Sequence, residues 1–147
     1  MPNHLHLLLK EATENGISKF MHRVGMGYSK FINEKYDESG SLFQGTYKSR
    51  RVDTDEDLKN LLVYTMVKNP FELYPGGLKK ACEEFDKAYE DALTYPLTSL
   101  AEYVGKRKPA LLDHDLLHEI AGTPESFREF ARETMLYRID QMNSYEF

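Results

Sequence analysis

Cysteine occurs once, at Cys82, in a chain of 147 residues. No intrachain disulfide can form, and no cysteine-based zinc site can be assembled from this chain alone, so a reducing, intracellular setting is expected. Long apolar runs are missing as well. Nowhere do about 18 apolar residues follow one another, and the beginning of the chain lacks a basic segment leading into an apolar stretch and a cleavage site. These absences leave no candidate for a membrane-spanning helix and point to a cytoplasmic protein with no membrane partner. No internal repeat or low-complexity segment stands out.

What is present supports a folded chain. Hydrophobic residues make up 41% and charged residues 29%, a balance that supplies a core and argues against disorder over most of the length. The length predicts one compact core with at most an appended subdomain. The net charge of -5 runs against a nucleic-acid partner, since phosphate binding is driven by Lys and Arg, but the average hides an asymmetry. Residues 1–52 hold eight Lys and Arg against five Asp and Glu, a balance of +3, and the remainder holds eleven against nineteen, or -8. The basic half is the one that carries the motifs described below.

Residues 3–10 read as a strand, with Leu5, Leu7 and Leu9 on one face and His4, His6 and Leu8 on the other. Asn15 and Gly16 mark a turn. Ile17, Phe20, Met21, Val24, Tyr28, Phe31 and Ile32 then recur at helical spacing and predict an amphipathic helix of about 18 residues with Ser18 near its start. Lys19, Arg23 and Lys30 fall together on its exposed side. After turn chemistry at 37–40, residues 42–52 read as a second strand, with Phe43 and Tyr47 on one face and Lys48 and Arg50 on the other. Thr54 and Asp57 resemble a capping box that opens a second helix through Leu58, Leu61, Leu62 and Thr65, which Asn69-Pro70 is expected to stop. Pro75-Gly76-Gly77 is the clearest boundary candidate, dividing a region 1–74 from a helical region 75–147. Beyond it, helices are expected over roughly 78–93, around Leu100, over 111–120 and over 124–142.

His4 and His6 are the sharpest chemical feature. Side chains two residues apart on a strand lie about 7 Å apart on one face, so two imidazoles can lean onto one divalent ion. Two imidazoles completed by oxygen ligands suit Mg, Mn or Zn, and ligand type alone leaves the three open. A His-x-His triplet is equally compatible with two polar residues on a half-exposed strand. His22, His114 and His118 read as surface or helix-packing residues. The last two have an i, i+4 spacing, but no Glu beside them forms a zincin pattern.

The context around the triplet is more specific. Met1-Pro2-Asn3-His4-Leu5-His6-Leu7-Leu8-Leu9 resembles the His-hydrophobic-His segment of the REP-associated tyrosine transposases, and three further blocks follow in the order found in that family. They are Ile17-Ser18-Lys19-Phe20-Met21 with Tyr28-Ser29-Lys30-Phe31-Ile32-Asn33, then Gly40-Ser41-Leu42-Phe43-Gln44-Gly45-Thr46-Tyr47-Lys48, and then Tyr64 followed by Asn69-Pro70. The resemblance covers about the first half of the chain. It implies an α+β fold with a ferredoxin-like sheet core and a helical C-terminal tail, and a metal-dependent DNA strand transferase acting on single-stranded, hairpin-forming DNA. His4 and His6 would bind Mg or Mn, Tyr64 would be the nucleophile, and a 5′-phosphotyrosine would hold the energy of the broken phosphodiester, so that no ATP is required. Lys19, Arg23, Lys30, Lys48, Arg50 and Arg51 are the candidates for phosphate contacts, and Phe43 and Tyr47 for base stacking.

Three departures from the family pattern stand out. The tyrosine of the family stands four residues before the Asn of Asn-Pro, whereas Tyr64 stands five before Asn69, and Thr65 occupies the four-residue place. Either the helix end carries one extra residue or the nucleophile has gone. The polar third ligand expected one turn after the tyrosine falls on Lys68, which cannot ligate as a cation. Asn69, Gln44 and Glu72 are the alternatives. The family also has a strand and a helix ahead of its histidine strand, so the resemblance implies a core lacking its first elements. Joining two DNA ends calls for two active sites and so for a homodimer. A DNA-binding derivative without catalysis, and a helical protein-interaction domain, are the competing readings.

Overall fold

The computed structural model describes residues 4–108 and 112–144. Asn3 of the first expected strand and Leu111 of an expected helix lie outside the described residues. Among those described, every regular element is helical, which overturns the expected α+β, ferredoxin-like sheet core. Residues 4–10 and 42–52 have the alternation of strands yet adopt no ladder. The physical reason lies in what a strand is. Its backbone groups are satisfied only by a neighbouring strand, and alternation by itself supplies no neighbour. Leu5 and Leu7 accordingly remain 71% and 43% exposed.

The chain divides into two compact units, one formed by Met1–His6 with Val52–Phe147 and the other by Leu7–Arg51. The Leu7–Arg51 unit is built on helix α1, Gly16–Tyr36, which begins and ends within a few residues of the span its apolar periodicity predicts. Asp37, in the left-handed region at φ 52°, turns the chain out of the helix, and its amide donates to the Asn33 carbonyl. The segment after it runs back along α1. The Asn33 side chain donates to the Gly40 carbonyl at 3.1 Å, the Tyr28 and Phe43 rings lie 6.1 Å apart, and the Ser18 and Tyr47 hydroxyls are 3.1 Å apart. No residue of α1 is buried, so these polar and aromatic contacts carry the unit.

In the other unit, Thr54 caps helix α2, Asp55–Val63, by accepting from the Asp57 amide at 3.1 Å, as the capping pattern implies. The helix does not stop at Asn69-Pro70. It widens into a π turn over Tyr64–Lys68, in which the Asn69 amide reaches back five residues to the Tyr64 carbonyl, and then continues as a short α3, Asn69–Phe71. A proline inside a helix removes one amide donor and crowds the carbonyl four residues earlier. Here that carbonyl belongs to Met66. The buried Thr98 hydroxyl donates to it at 3.0 Å, supplying the proton that Pro70 lacks.

The helices α4, Gly77–Glu83, and α5, Phe85–Thr94, replace the single helix expected over 78–93, with the break at Glu84 (φ −107°, ψ 42°). They are followed by α6, Leu100–Tyr103, α7, His114–Ala121, and α8, Pro124–Ser144. Leu62, Val63, Met66, Val67 and Phe71 bury one face of the α2–α3 helix in the same core as Phe85, Tyr89, Leu100, Tyr103, Phe127 and Met135. Each large side chain fully buried there contributes roughly 1.5–3 kcal/mol of transfer free energy. Pro75-Gly76-Gly77 therefore sits inside this unit, as the turn that brings α4 back onto α3.

Candidate active site

The residues of interest in the Val52–Phe147 unit converge where its π turn meets the histidine segment. His4 and His6 lie with ring centroids 4.7 Å apart and ring planes inclined at 77°. The edge of one meets the face of the other, an arrangement that brings two imidazoles together without a strand to align them. The His6 and Tyr64 rings in turn form a T-shaped pair, 5.3 Å between centroids at 89°. Three side chains separated by up to 60 positions in sequence thus form one aromatic group. Burial, the neighbouring His4 and the positive charge of Lys68 lower the pKa of His6, against an opposing pull from Glu72. These influences favour the neutral imidazole, the form in which a ring nitrogen lone pair can be donated.

Tyr64 is half-buried at the start of the π turn, with the Lys68 ammonium 4.9 Å from its ring centroid. Lys68 also forms an ion pair with Glu72, and their side chains are only 17% and 28% exposed. Thr65, which stands in the four-residue place before Asn69, spends its hydroxyl on its own helix by donating to the Leu61 and Leu62 carbonyls at 3.0 and 3.2 Å. That leaves Tyr64, and not Thr65, beside the histidines.

The π turn bears directly on the offset between Tyr64 and Asn-Pro. In an α-helix a residue five positions on points about 140° away from the first, while one four positions on lies within about 40°. Winding one extra residue into the turn returns Asn69 to roughly the direction that a fourth-following residue has on an ordinary helix. Asn69 is 7% exposed, and its side-chain oxygen is buried without accepting a hydrogen bond among the described residues. A buried amide oxygen left over in this way is costly in water-free surroundings and is the kind of atom a cation satisfies.

The remaining candidates fall elsewhere. Gln44 belongs to the Leu7–Arg51 unit, as do Lys19, Arg23, Lys30, Phe43, Tyr47, Lys48, Arg50 and Arg51, all of them exposed. Lys30 pairs with Glu34 at 3.7 Å on the surface of α1. Among the described residues no three His, Cys, Asp or Glu side chains are grouped to hold a metal, so Glu72 does not complete a set with the two histidines. His114 and His118 serve packing: the His118 ring lies 5.5 Å from that of Tyr103, and its Nδ1 is 3.0 Å from the Gly122 carbonyl. Sequence reasoning missed Lys68 as part of the site because it weighed that position only as a metal ligand. Among the described residues no helix is long and apolar enough to cross a membrane.

Residues 1–66, somewhat under half of the chain, match a family model described as "Transposase IS200 like". Comparison with curated proteins and with solved structures found no match.

Proposed function

Because residues 1–66 match the model of the IS200-like transposase family, we propose that the chain cuts and rejoins single-stranded, hairpin-forming DNA with Tyr64 as its nucleophile. The observation that carries the reading is the contact of the Tyr64 ring with the His4–His6 pair. The family match supports DNA as the substrate. The juxtaposition supports the choice of Tyr64 among ten tyrosines.

In the proposed reaction the Tyr64 hydroxyl loses its proton as its oxygen bonds to phosphorus. The bond from phosphorus to the 3′ oxygen breaks, and that oxygen leaves with the electron pair and takes up a proton. The 5′ end remains on Tyr64 as a phosphotyrosine, whose energy is kept for the reverse attack by another 3′ hydroxyl. The His6 ring, packed against that of Tyr64, orients it, and the α2–α3 core holds the helix that carries it.

The donor set fits a divalent ion of the Mg or Mn type. His4 and His6 would supply nitrogen and the orphaned Asn69 amide oxygen a hard donor, with water completing the shell. When bound, such an ion supplies polarisation of the scissile phosphate and stabilisation of the charge building on it. The basic and aromatic side chains Lys19, Arg23, Lys30, Phe43, Tyr47, Lys48, Arg50 and Arg51 are proposed to follow the strand's phosphates and to stack on its unpaired bases. Joining two ends is proposed to require two copies of the chain.

The test is incubation of the purified chain with Mn and a radiolabelled hairpin oligonucleotide. A covalent protein–DNA adduct is expected, with Tyr64→Phe lowering its formation by roughly a thousandfold or more, the scale seen when a nucleophile is removed. An adduct that persists undiminished in Tyr64→Phe would move the nucleophile to another residue, and no cleavage by the unaltered chain would refute the enzymatic reading.

A further inference from the structure

Lys68 stands where a ligand-bearing side chain is expected, and an ammonium has no lone pair to give. Its surroundings suit another task. The charge lies 4.9 Å from the Tyr64 ring centroid, in an ion pair with Glu72, and the side chain is only 17% exposed. Its backbone is held at the end of the π turn, and the Glu72 amide donates to the Lys68 carbonyl at 3.0 Å. A partly desolvated cation is thus fixed beside the phenol, with one carboxylate as its anion.

We propose that Lys68 is the cation that receives the DNA phosphate next to Tyr64, and that Glu72 holds the place of that phosphate until DNA arrives. A phosphodiester carries one negative charge shared between two oxygens, as a carboxylate does. Exchanging Glu72 for phosphate therefore leaves Lys68 paired with one negative charge as before, and the cost of removing Lys68 from water has already been met by folding. The lysine stem is long enough to carry the ammonium from the ring face toward the hydroxyl without moving the helix. Glu72 acts in this scheme as an internal competitor that disfavours weakly bound anions. The inference rests on the assignment of Tyr64 as the nucleophile.

The two sides of the pair give opposite predictions. A fluorescein-labelled single-stranded hairpin oligonucleotide is titrated with the full chain in EDTA at several KCl concentrations, and binding is read by anisotropy. Lys68→Gln is expected to weaken binding and to reduce the slope of log affinity against log salt by about 0.7, the value for one phosphate contact on a single strand. Lys68→Arg should keep the slope. Glu72→Gln should tighten binding several-fold at every salt concentration, a result that misfolding cannot produce. An unchanged slope in Lys68→Gln, or weaker or equal binding in Glu72→Gln, overturns the proposal while leaving Tyr64 as nucleophile untouched. Failure of the unaltered chain to bind the oligonucleotide removes both readings together.

Discussion

Single side chains in this protein gain their properties from burial more than from type. The Cys82 thiol, 4% exposed on α4, is pushed up to about 11 by desolvation, so its reactive thiolate is scarce at neutral pH. It should resist alkylation by iodoacetamide in the native protein and react promptly in denaturant, as read by mass spectrometry; rapid native labelling would mean that α4 opens. In His6 burial again disfavours the charged form and so lowers the pKa, with His4 and Lys68 acting in the same direction. Its residue type was plain in the sequence, but the placement of its ring against Tyr64 was not. A His-x-His triplet announces two donors, whereas the third member of the group lies 58 positions further along and is chosen by packing.

At the scale of the element, the helix through Tyr64 depends on one exchange of donors. Pro70 cannot donate to Met66, and Thr98 donates instead. Thr98 is itself held in place from outside the helix, since the Arg107 guanidinium donates to its carbonyl and pairs with Glu102 at 3.3 Å. Thr98→Val, which leaves the Met66 carbonyl buried and unpaired, is expected to destabilise the protein by about 1–3 kcal/mol in urea unfolding. In a Pro70→Ala background the same substitution should cost less, because the alanine restores a backbone amide that can reach Met66. Equal costs in the two backgrounds would show that the donors are not interchangeable. This also explains why Asn-Pro failed as a stop signal. Proline ends a helix when the carbonyl it strands has no other partner, and a threonine 28 positions later provides one. Helix starts were more legible: the Thr54–Asp57 cap is local, so its residues are sufficient to specify it.

Across the Val52–Phe147 unit, surface charge ties α5 to α8. Arg128 and Arg132 both donate to the Asp86 carboxylate, Arg128 reaches Glu90 at 3.3 Å, and the two guanidiniums lie over the Tyr89 and Phe85 rings at 4.8 and 4.5 Å. Arg132 and then Arg128 hold the Asp86 carboxyl below its ordinary range, as Lys106 and Arg128 do for Glu90. A carboxyl whose folded pKa is lowered contributes stability above its unfolded value, and that contribution is lost as pH falls through the folded one. Helicity followed by circular dichroism should therefore drop as pH falls below about 4, and Asp86→Asn should flatten that dependence while changing little at pH 7. No change in the acid limb would show the pairs to be solvent-screened. These helices carry much of the acidic half of the chain, and their periodicity alone located α6, α7 and α8 to within a few residues. By itself, then, the sequence determined what is written in short-range pattern: the amphipathic helices, the Thr54 cap, the histidine pair and the ordered blocks that resemble those of a transposase family. Tertiary structure alone decided that the alternating segments form no sheet, that the helix passes through Pro70 by way of a π turn, and that Tyr64, His6 and Lys68 meet. Each of those outcomes depends on a partner distant in the chain, and a local pattern holds no information about whether that partner arrives.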